Sequence, residues 1–581
     1  MFDPSKVLLS QIIVDTLSSL GITADRERVY QSIEFCPQPE LGQYAFKTFI
    51  VAKQAGMNPM EFGTKLCDAL KQHNQISSVA QAGPYINLIL FSGEIAPLLI
   101  DDGASGNVAV ITPSVPHRYM IEHSQPNTHK EMHIGHTRNS VLGDTLCRLL
   151  KHNGYSVFAQ NYHGDEGAHV AKCIWYIRTF NQSPAEGQDK GTWLGQMYVD
   201  STAKIEGATP EEAEHYKAGI SAVLKGIESR EGPDYAYWKE TRQWSLNMFH
   251  EVYDWLDVSF DSDCCESDVS EESISVVNEY LDKGVFIRSE GAVGADLSDK
   301  KLGFCMLLKS DGNGLYATKD IALALKRFRE QNPDTCVYVV DNRQSHHFKQ
   351  VFATLDKMGF PQANRCYHLA YEMVETKNGA MSSRKGNIVP ILGLIDELEA
   401  QARGILEERY SADWSAEEIA EVAKLISRSA VRYGMIKVDP ESKIVFDMES
   451  WLTFEGNTGP YLQYVFARIC SLQRKSSDDE INLSSEISWS TLDKTSEQQL
   501  LAHLANFNEM VDVSCTKLKP NMFASYTYDL ARKFNAFYAE CPINSEPDAS
   551  LRQARSALVR LTQIYLGTAM DLLGIPRIER M

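Results

Sequence analysis

The sequence lacks the marks of several large protein classes. None of its 12 cysteines, scattered from Cys36 to Cys541, belongs to a C-x-x-C pair, which argues against a disulfide framework and a structural zinc site. They read as buried or incidental thiols, and no metal site is expected. No apolar run reaches the roughly 18 residues that span a bilayer. Met1-Phe2-Asp3-Pro4 has neither the basic nor the apolar region of a signal peptide. A cytoplasmic location and no membrane partner are expected. Repeats and low-complexity segments are missing too. Lys and Arg are absent from Gln243 to Asp282, an acidic stretch holding the adjacent Cys264 and Cys265, which reads as a solvated surface.

What is present describes a large globular chain. Its 581 residues exceed one hydrophobic core, so about three or four domains are expected. With 43% hydrophobic and 23% charged residues, neither disorder nor a fibrous structure is favoured. A formal net charge of -20 argues against a nucleic-acid partner only on average, because net charge does not say where the charges lie. A basic face on an acidic body remains open.

Residues 1–98 mix an amphipathic helical pattern near Asn58–Leu66 with the alternating strand pattern Tyr85–Leu90, as in a small α+β domain. Asp101–Asn107 reads as a linker. From residue 112 to 395, strand patterns at Tyr119–His123, Ser156–Asn161 and Cys336–Val340 alternate with helices, the first from about His136 to His152. This predicts a doubly wound parallel sheet with crossover helices, an α/β nucleotide-binding architecture, carrying an insertion at about 178–290. Helical patterns dominate afterwards, as a connecting segment at 396–450 and an all-α domain at 451–581.

Two strings carry chemistry. His133-Ile134-Gly135-His136 falls in the turn between the first strand of the sheet and its helix, where free N–H groups and the helix dipole favour phosphate. Gly135 has no Cβ to keep a flat base from the backbone. The string alone fits two ordinary histidines at a helix start; its strand-turn-helix setting favours the phosphate site. Met381-Ser382-Ser383-Arg384-Lys385-Gly386-Asn387 places two cations and two hydroxyls beside a glycine, suited to a loop over a triphosphate, whose departing pyrophosphate needs charge stabilisation. By itself it is as readily a basic surface turn.

Together these strings resemble the signatures of class I aminoacyl-tRNA synthetases, a His-Ile-Gly-His turn and a later Lys-Met-Ser-Lys-Ser loop. Other segments resemble the arginyl family: Glu122–Lys130, Asn161–Gly167, Tyr316–Asp320, Gln344–Phe348, Glu455–Tyr464 and the ending Glu579-Arg580-Met581. Three departures stand out. Ala380 and Ser383 occupy both lysine positions of the loop pattern, a loss the family resemblance assigns to Lys130 to offset. Asp529-Leu530-Ala531-Arg532 inverts two small apolar residues of the family's Asp-Ala-Leu-Arg, which touches packing more than chemistry. His163 and Glu166 differ from the common family pattern.

The resemblance implies a Rossmann-like catalytic domain, an N-terminal domain that contacts tRNA and a helical anticodon-binding domain. It further implies ligation of L-arginine to the 3′ end of arginine tRNA through an arginyl-adenylate, with ATP and Mg²⁺ as the substrate complex. Lys130, His133, His136 and Lys385 would be catalytic, and His133, Gly135, His136, Met381, Ser382, Ser383 and Arg384 would hold ATP. Glu122, Asn127, Tyr316, Asp320 and Gln344 would hold arginine. Tyr44, Lys47, Asn87, Tyr461, Arg468, Arg474 and Lys475 would meet tRNA. A monomer is expected. A small-molecule nucleotidylyltransferase shares the sheet and histidine turn but has no need of the strings from Glu455 onward. A silent tRNA-holding or arginine-sensing paralogue has no need of His133, His136, Lys130 and Asp320 together.

Overall fold

Residues buried on both faces of short strands assemble the core sheet of one part of the chain. The computed structural model describes residues 2–581 except 37, 39–40, 102–105, 114, 377–378, 381–388, 476–482 and 484–485. The chain divides into two units, Pro113–Leu452 and the pair Met1–Thr112 with Thr453–Met581.

In the first unit, β1 (Arg118–Glu122), β2 (Ser156–His163), β3 (Ser262–Cys265), β4 (Thr335–Asp341) and β5 (Cys366–Tyr371) form a sheet of order β5-β4-β1-β2-β3. Every neighbouring pair is parallel. Met120, Ile121, Val337 and Val339 are buried, as expected of strands covered by helices on both faces. Strand order reverses between β1 and β4, which is where ligand crevices open in doubly wound sheets.

The helix α1 (Ile134–His152) follows β1. After β2 comes a helical block of α2 (Ala168–Thr179), α3 (Lys190–Glu206), α4 (Pro210–Glu228) and α5 (Gly232–Leu256). Its cores join Val170, Ile174 and Trp175 to Trp238, and Cys173 and Ile177 to Leu194 and Tyr198. The chain then re-enters the sheet as β3, so the expected insertion at about 178–290 is interrupted by a sheet strand. Cys264 and Cys265 are buried in that strand, which corrects the solvated-surface reading. The acidic side chains there serve local hydrogen bonds: Asp268 accepts from the Cys265 N–H at 2.8 Å, and Asp261 from the Ala159 N–H at 2.7 Å.

Beyond β3 lie α6 (Ser270–Asp282), a small antiparallel sheet of Ile287–Ser289, Ala292–Asp296 and Phe304–Leu308, α7 (Tyr316–Glu330), and α8 (Ser345–Lys357) between β4 and β5. The segment read as a connector at 396–450 packs within this unit. It holds most of α9 (Ile391–Tyr410) and all of α10 (Ala416–Ile436). Arg432 of α10 is fully buried and donates to Asp144 of α1 at 2.5 Å and to the Leu256 carbonyl at 2.7 Å. Arg148 donates to the same carboxylate at 2.8 Å, so Asp144 is held below the usual carboxylate range despite burial.

The second unit joins an N-terminal α+β segment to C-terminal helices. A four-stranded antiparallel sheet (Ile33–Phe35, Tyr44–Lys47, Tyr85–Leu90, Ile76–Ala82) adjoins Pro4–Ser19 and Pro59–Leu70. The latter helix begins with Pro59 after Asn58, whose side chain accepts from the Met60 N–H. Lys6 pairs with Glu509 at 2.6 Å and Ser92 donates to the Leu492 carbonyl at 2.5 Å, tying the two segments together. Among the described residues no helix is long and apolar enough to cross a membrane.

Candidate functional site

A cavity of about 600 Å³ opens at the reversal of strand order. Ser124 and Gln125 beyond β1 line it with His133, Gly135, His136 and Asn139 of the α1 turn and helix. Val340, Asp341, Arg343 and Gln344 from the end of β4, and Tyr371, Met373 and Val374 from β5 onward, complete it.

The two histidines fix each other. His133 caps α1, its Nδ1 accepting the Gly135 N–H at 3.1 Å, while His136 Nδ1 accepts the His133 N–H at 3.2 Å. With each Nδ1 engaged as an acceptor, the neutral ring carries its proton on Nε2. Burial pushes His133 down to about 4, aided by the nearby Arg343 and Lys130 charges, and pushes His136 well below its ordinary value. Both rings are therefore neutral Nε2–H donors near pH 7. A Cβ on Gly135 would lie 2.9 Å from His133 Cε1, so a larger residue there would push the folded-back ring out of its place.

The approach to this turn is held in unusual backbone. Ser124, Gln125 and His129 have φ of 80°, 53° and 60°, a region that costs non-glycine residues about 1–3 kcal/mol each. Anchors hold them there: Ser124 N–H donates to Asn139 at 2.8 Å, Gln125 N–H to Asn161 at 3.0 Å and His129 N–H to Ser245 at 2.9 Å. Asn127 lies against Gly164, where an added Cβ would meet its Oδ1 at 2.3 Å. Lys130 follows, its ammonium 5.0 Å from the centre of the Tyr198 ring.

The residues expected to hold arginine are divided. Gln344 lines the cavity. Glu122 is buried: one oxygen accepts from Gln125 Nε2 at 2.6 Å, the other pairs with buried Arg327. Burial, reinforced by the Asp320 charge, raises its affinity for a proton, and Arg327 opposes this. Asp320 accepts from His347 Nε2 at 2.5 Å. Tyr316 is exposed at the start of α7. Sequence reading missed Gln125, Asn139, Arg343 and the supports Arg327 and His347. Gln125 lies inside a string already singled out, and Arg343 directly precedes Gln344.

Glu166 has a partner that explains its presence. Lys319 of α7 lies 3.2 Å from Glu166 and 3.0 Å from Glu266, and Arg230 lies 3.1 Å from Glu166. Burial pushes Glu266 up to about 7, and the Lys319 charge works against that shift. His163 is likewise paired, with Asp263 at 2.9 Å.

Of the residues expected to meet tRNA, Tyr44 and Asn87 are buried in the N-terminal sheet. Tyr44 packs on Phe35 with ring centres 5.1 Å apart. Apolar strand spacing at Tyr44–Lys47 turns its ring into the core, so direct contact with RNA is corrected for both. Lys47 pairs with Glu34. On the C-terminal helices, Tyr461 accepts from Asn535 at 2.9 Å, and Arg474 donates to the Glu579 carbonyl at 3.1 Å. Arg468 and Lys475 border a cavity of about 480 Å³, with the Arg468 guanidinium 4.5 Å from the centre of the Tyr538 ring. Met381, Ser382, Ser383, Arg384 and Lys385 lie outside the described residues.

A family model described as tRNA synthetases class I (R), catalytic domain, matches residues 105–448. A DALR anticodon binding domain matches 462–581 and an Arginyl tRNA synthetase N terminal domain matches 8–90. The arginine–tRNA ligase of Bdellovibrio bacteriovorus is 40% identical, over 100% of this chain and 99% of its own. That of Treponema denticola is 34% identical over 99% of each. The Thermus thermophilus arginyl-tRNA synthetase structure superposes with a TM-score of 0.80 at 26% identity, covering 100% of both chains. The parallel sheet and its histidine-capped turn thus define a class I aminoacyl-tRNA synthetase. Within that class, the chain belongs to the arginyl-tRNA synthetase family.

Proposed function

We propose that the cavity between the ends of β1 and β4 joins L-arginine to ATP and that the arginyl group then passes to the 3′ end of arginine tRNA. Ligation of arginine to tRNA is the activity of this chain, as of its family; the assignment of steps to residues is our reading. In the first step an arginine carboxylate oxygen attacks the α-phosphorus of MgATP, and the bond to the β-phosphate oxygen breaks to release pyrophosphate. No protein nucleophile is needed, so positioning and charge neutralisation do the work. His133 and His136 donate from Nε2 to phosphate oxygens, and Lys130 supplies a cation. Met381, Ser382, Ser383, Arg384 and Lys385 would act on the same phosphates.

The guanidinium has five donors and no acceptor, so it requires anions. Asp320 is its partner in this reading, with Tyr316 shaping that end; Glu122 adds negative potential, and Asn127 and Gln344 hold the amino end and carboxylate. A ribose hydroxyl of the terminal nucleotide then attacks the arginyl carbonyl carbon, and AMP leaves. Bound tRNA is expected to be needed for the first step. For the tRNA itself, Lys47, Tyr461, Arg468, Arg474 and Lys475 remain the proposed contacts. A monomer remains part of this reading. A cytoplasmic location is likewise part of it.

The observation that carries this reading is the paired capping of the histidines, which leaves two neutral Nε2–H donors in a cavity at the strand-order reversal. The test is charging of purified tRNAs with each amino acid in the presence of MgATP. Arginine attached only to arginine tRNA is the expected result; charging with another amino acid, or none with arginine, contradicts it.

A further inference from the structure

We infer that Tyr198 is a positioning residue that holds the Lys130 ammonium for its work on the phosphates; this rests on the proposed role of Lys130. Two independent features meet here. The first is a close approach of α3 to the irregular segment leading into the histidine turn. A Cβ added at Gly195 would lie 2.7 Å from Glu131 Cβ and 3.0 Å from its backbone nitrogen. Only glycine allows the α3 backbone to rest against the Lys130–Glu131 peptide. The second is the ring one turn later on the same helix face. Tyr198 stands beside Lys130, with the ammonium 5.0 Å from the ring centre.

The ring is a fixed platform. Tyr198 is buried and packs with Cys173, Ile177, Leu194 and Met197. A second cation shares it: Lys172 of α2 lies 3.9 Å from the ring centre and donates to Thr202 Oγ1 at 2.5 Å. Lys172 is therefore anchored, and its charge opposes closer approach of Lys130 to the ring. Attraction to the ring face and repulsion from Lys172 both act on where the Lys130 ammonium rests. A cation placed before the reaction starts needs no reorganisation as charge develops. The resemblance makes Lys130 the substitute for the lysine lost at Ser383, which gives placement of this one ammonium its importance.

The test is arginine-dependent pyrophosphate exchange by the full-length chain with saturating arginine tRNA. Tyr198→Phe, which keeps the ring, should retain kcat within about threefold. Tyr198→Leu should lower kcat roughly tenfold with the arginine KM unchanged, and should cause no further loss when combined with Lys130→Ala. Trifluorophenylalanine at position 198 keeps the shape and weakens the negative ring face. It should lower kcat several-fold relative to Phe, which separates the electrostatic role from packing even if the leucine variant does not fold. Full activity of the trifluoro variant overturns the inference, as do additive losses in the double variant. An unchanged rate for Lys130→Ala alone instead contradicts the underlying role of Lys130.

Discussion

His136 Nδ1 accepts the backbone N–H of His133 at 3.2 Å, so the second histidine of the turn holds the first in place while its own Nε2 stays available. Below it, the His133 ring folds back on Gly135. The site's electrostatics follow from this arrangement, because neither ring can take a second proton on Nδ1 without breaking a cap to α1.

The first prediction concerns pH. Burial lowers the folded-state pKa of both histidines, His133 to about 4. A depressed histidine pKa contributes stability that is complete above the unfolded value of about 6.5 and is lost as pH falls toward the folded value. Imidazole nitrogen NMR should therefore show both rings as neutral Nε2–H tautomers at pH 6. A titration midpoint near 6.5 for His133 would contradict the assignment.

The second concerns Lys130. Lys130→Ala should slow arginine activation by roughly 10²- to 10³-fold, the usual loss for one preorganised transition-state donor. Steady-state pyrophosphate exchange at saturating ATP checks this, and an unchanged rate would remove Lys130 from the mechanism.

The third separates the two substrates. Asp320→Asn should raise the arginine KM by about 100-fold or more, because an unpaired buried charge costs about 3–5 kcal/mol, while the ATP KM changes little. Equal losses for both would make Asp320 a structural partner of His347.

The fourth concerns the buried arginine of α10. Arg432→Met leaves Asp144 with Arg148 alone and should destabilise the chain by about 3–5 kcal/mol. Replacing Asp144 by Asn in the same chain should recover part of the loss. Urea unfolding followed by tryptophan fluorescence measures both, and a loss under about 1 kcal/mol would show that Arg432 is not needed.

The fifth concerns RNA. Binding of arginine tRNA should weaken steeply with salt, and Lys475→Ala should make the log–log slope shallower by about one contact's worth. Neutralising Asp257 and Glu272 should leave the slope unchanged, since screening confines each charge to about 8–10 Å. Equal and opposite effects would mean that the field of the whole chain governs binding.

Much of this architecture was legible beforehand, for identifiable reasons. β1, β2 and β4 carry apolar runs, and α1 repeats Val141, Leu142, Leu146 and Leu149 at helical spacing. The histidine turn followed from its place between the two. β3 escaped notice because it is a four-residue edge strand in an acidic run, with only Cys264 and Cys265 turned inward. The apolar signal of a buried parallel strand is absent there. Tyr44 misled because the resemblance carried a tRNA contact onto it while a tyrosine in a strand reads equally as surface or core, and only the pairing of its strand with Tyr85–Leu90 decides which. Arg327 was invisible because its significance lies in Glu122, about 200 residues away in the chain, which no spacing rule connects.

The most direct measurement is pyrophosphate exchange into ATP by the wild-type chain, run with each amino acid, with and without arginine tRNA. The account predicts exchange with arginine alone and only when tRNA is bound. Exchange driven by another amino acid, or none with arginine and tRNA both present, would contradict it.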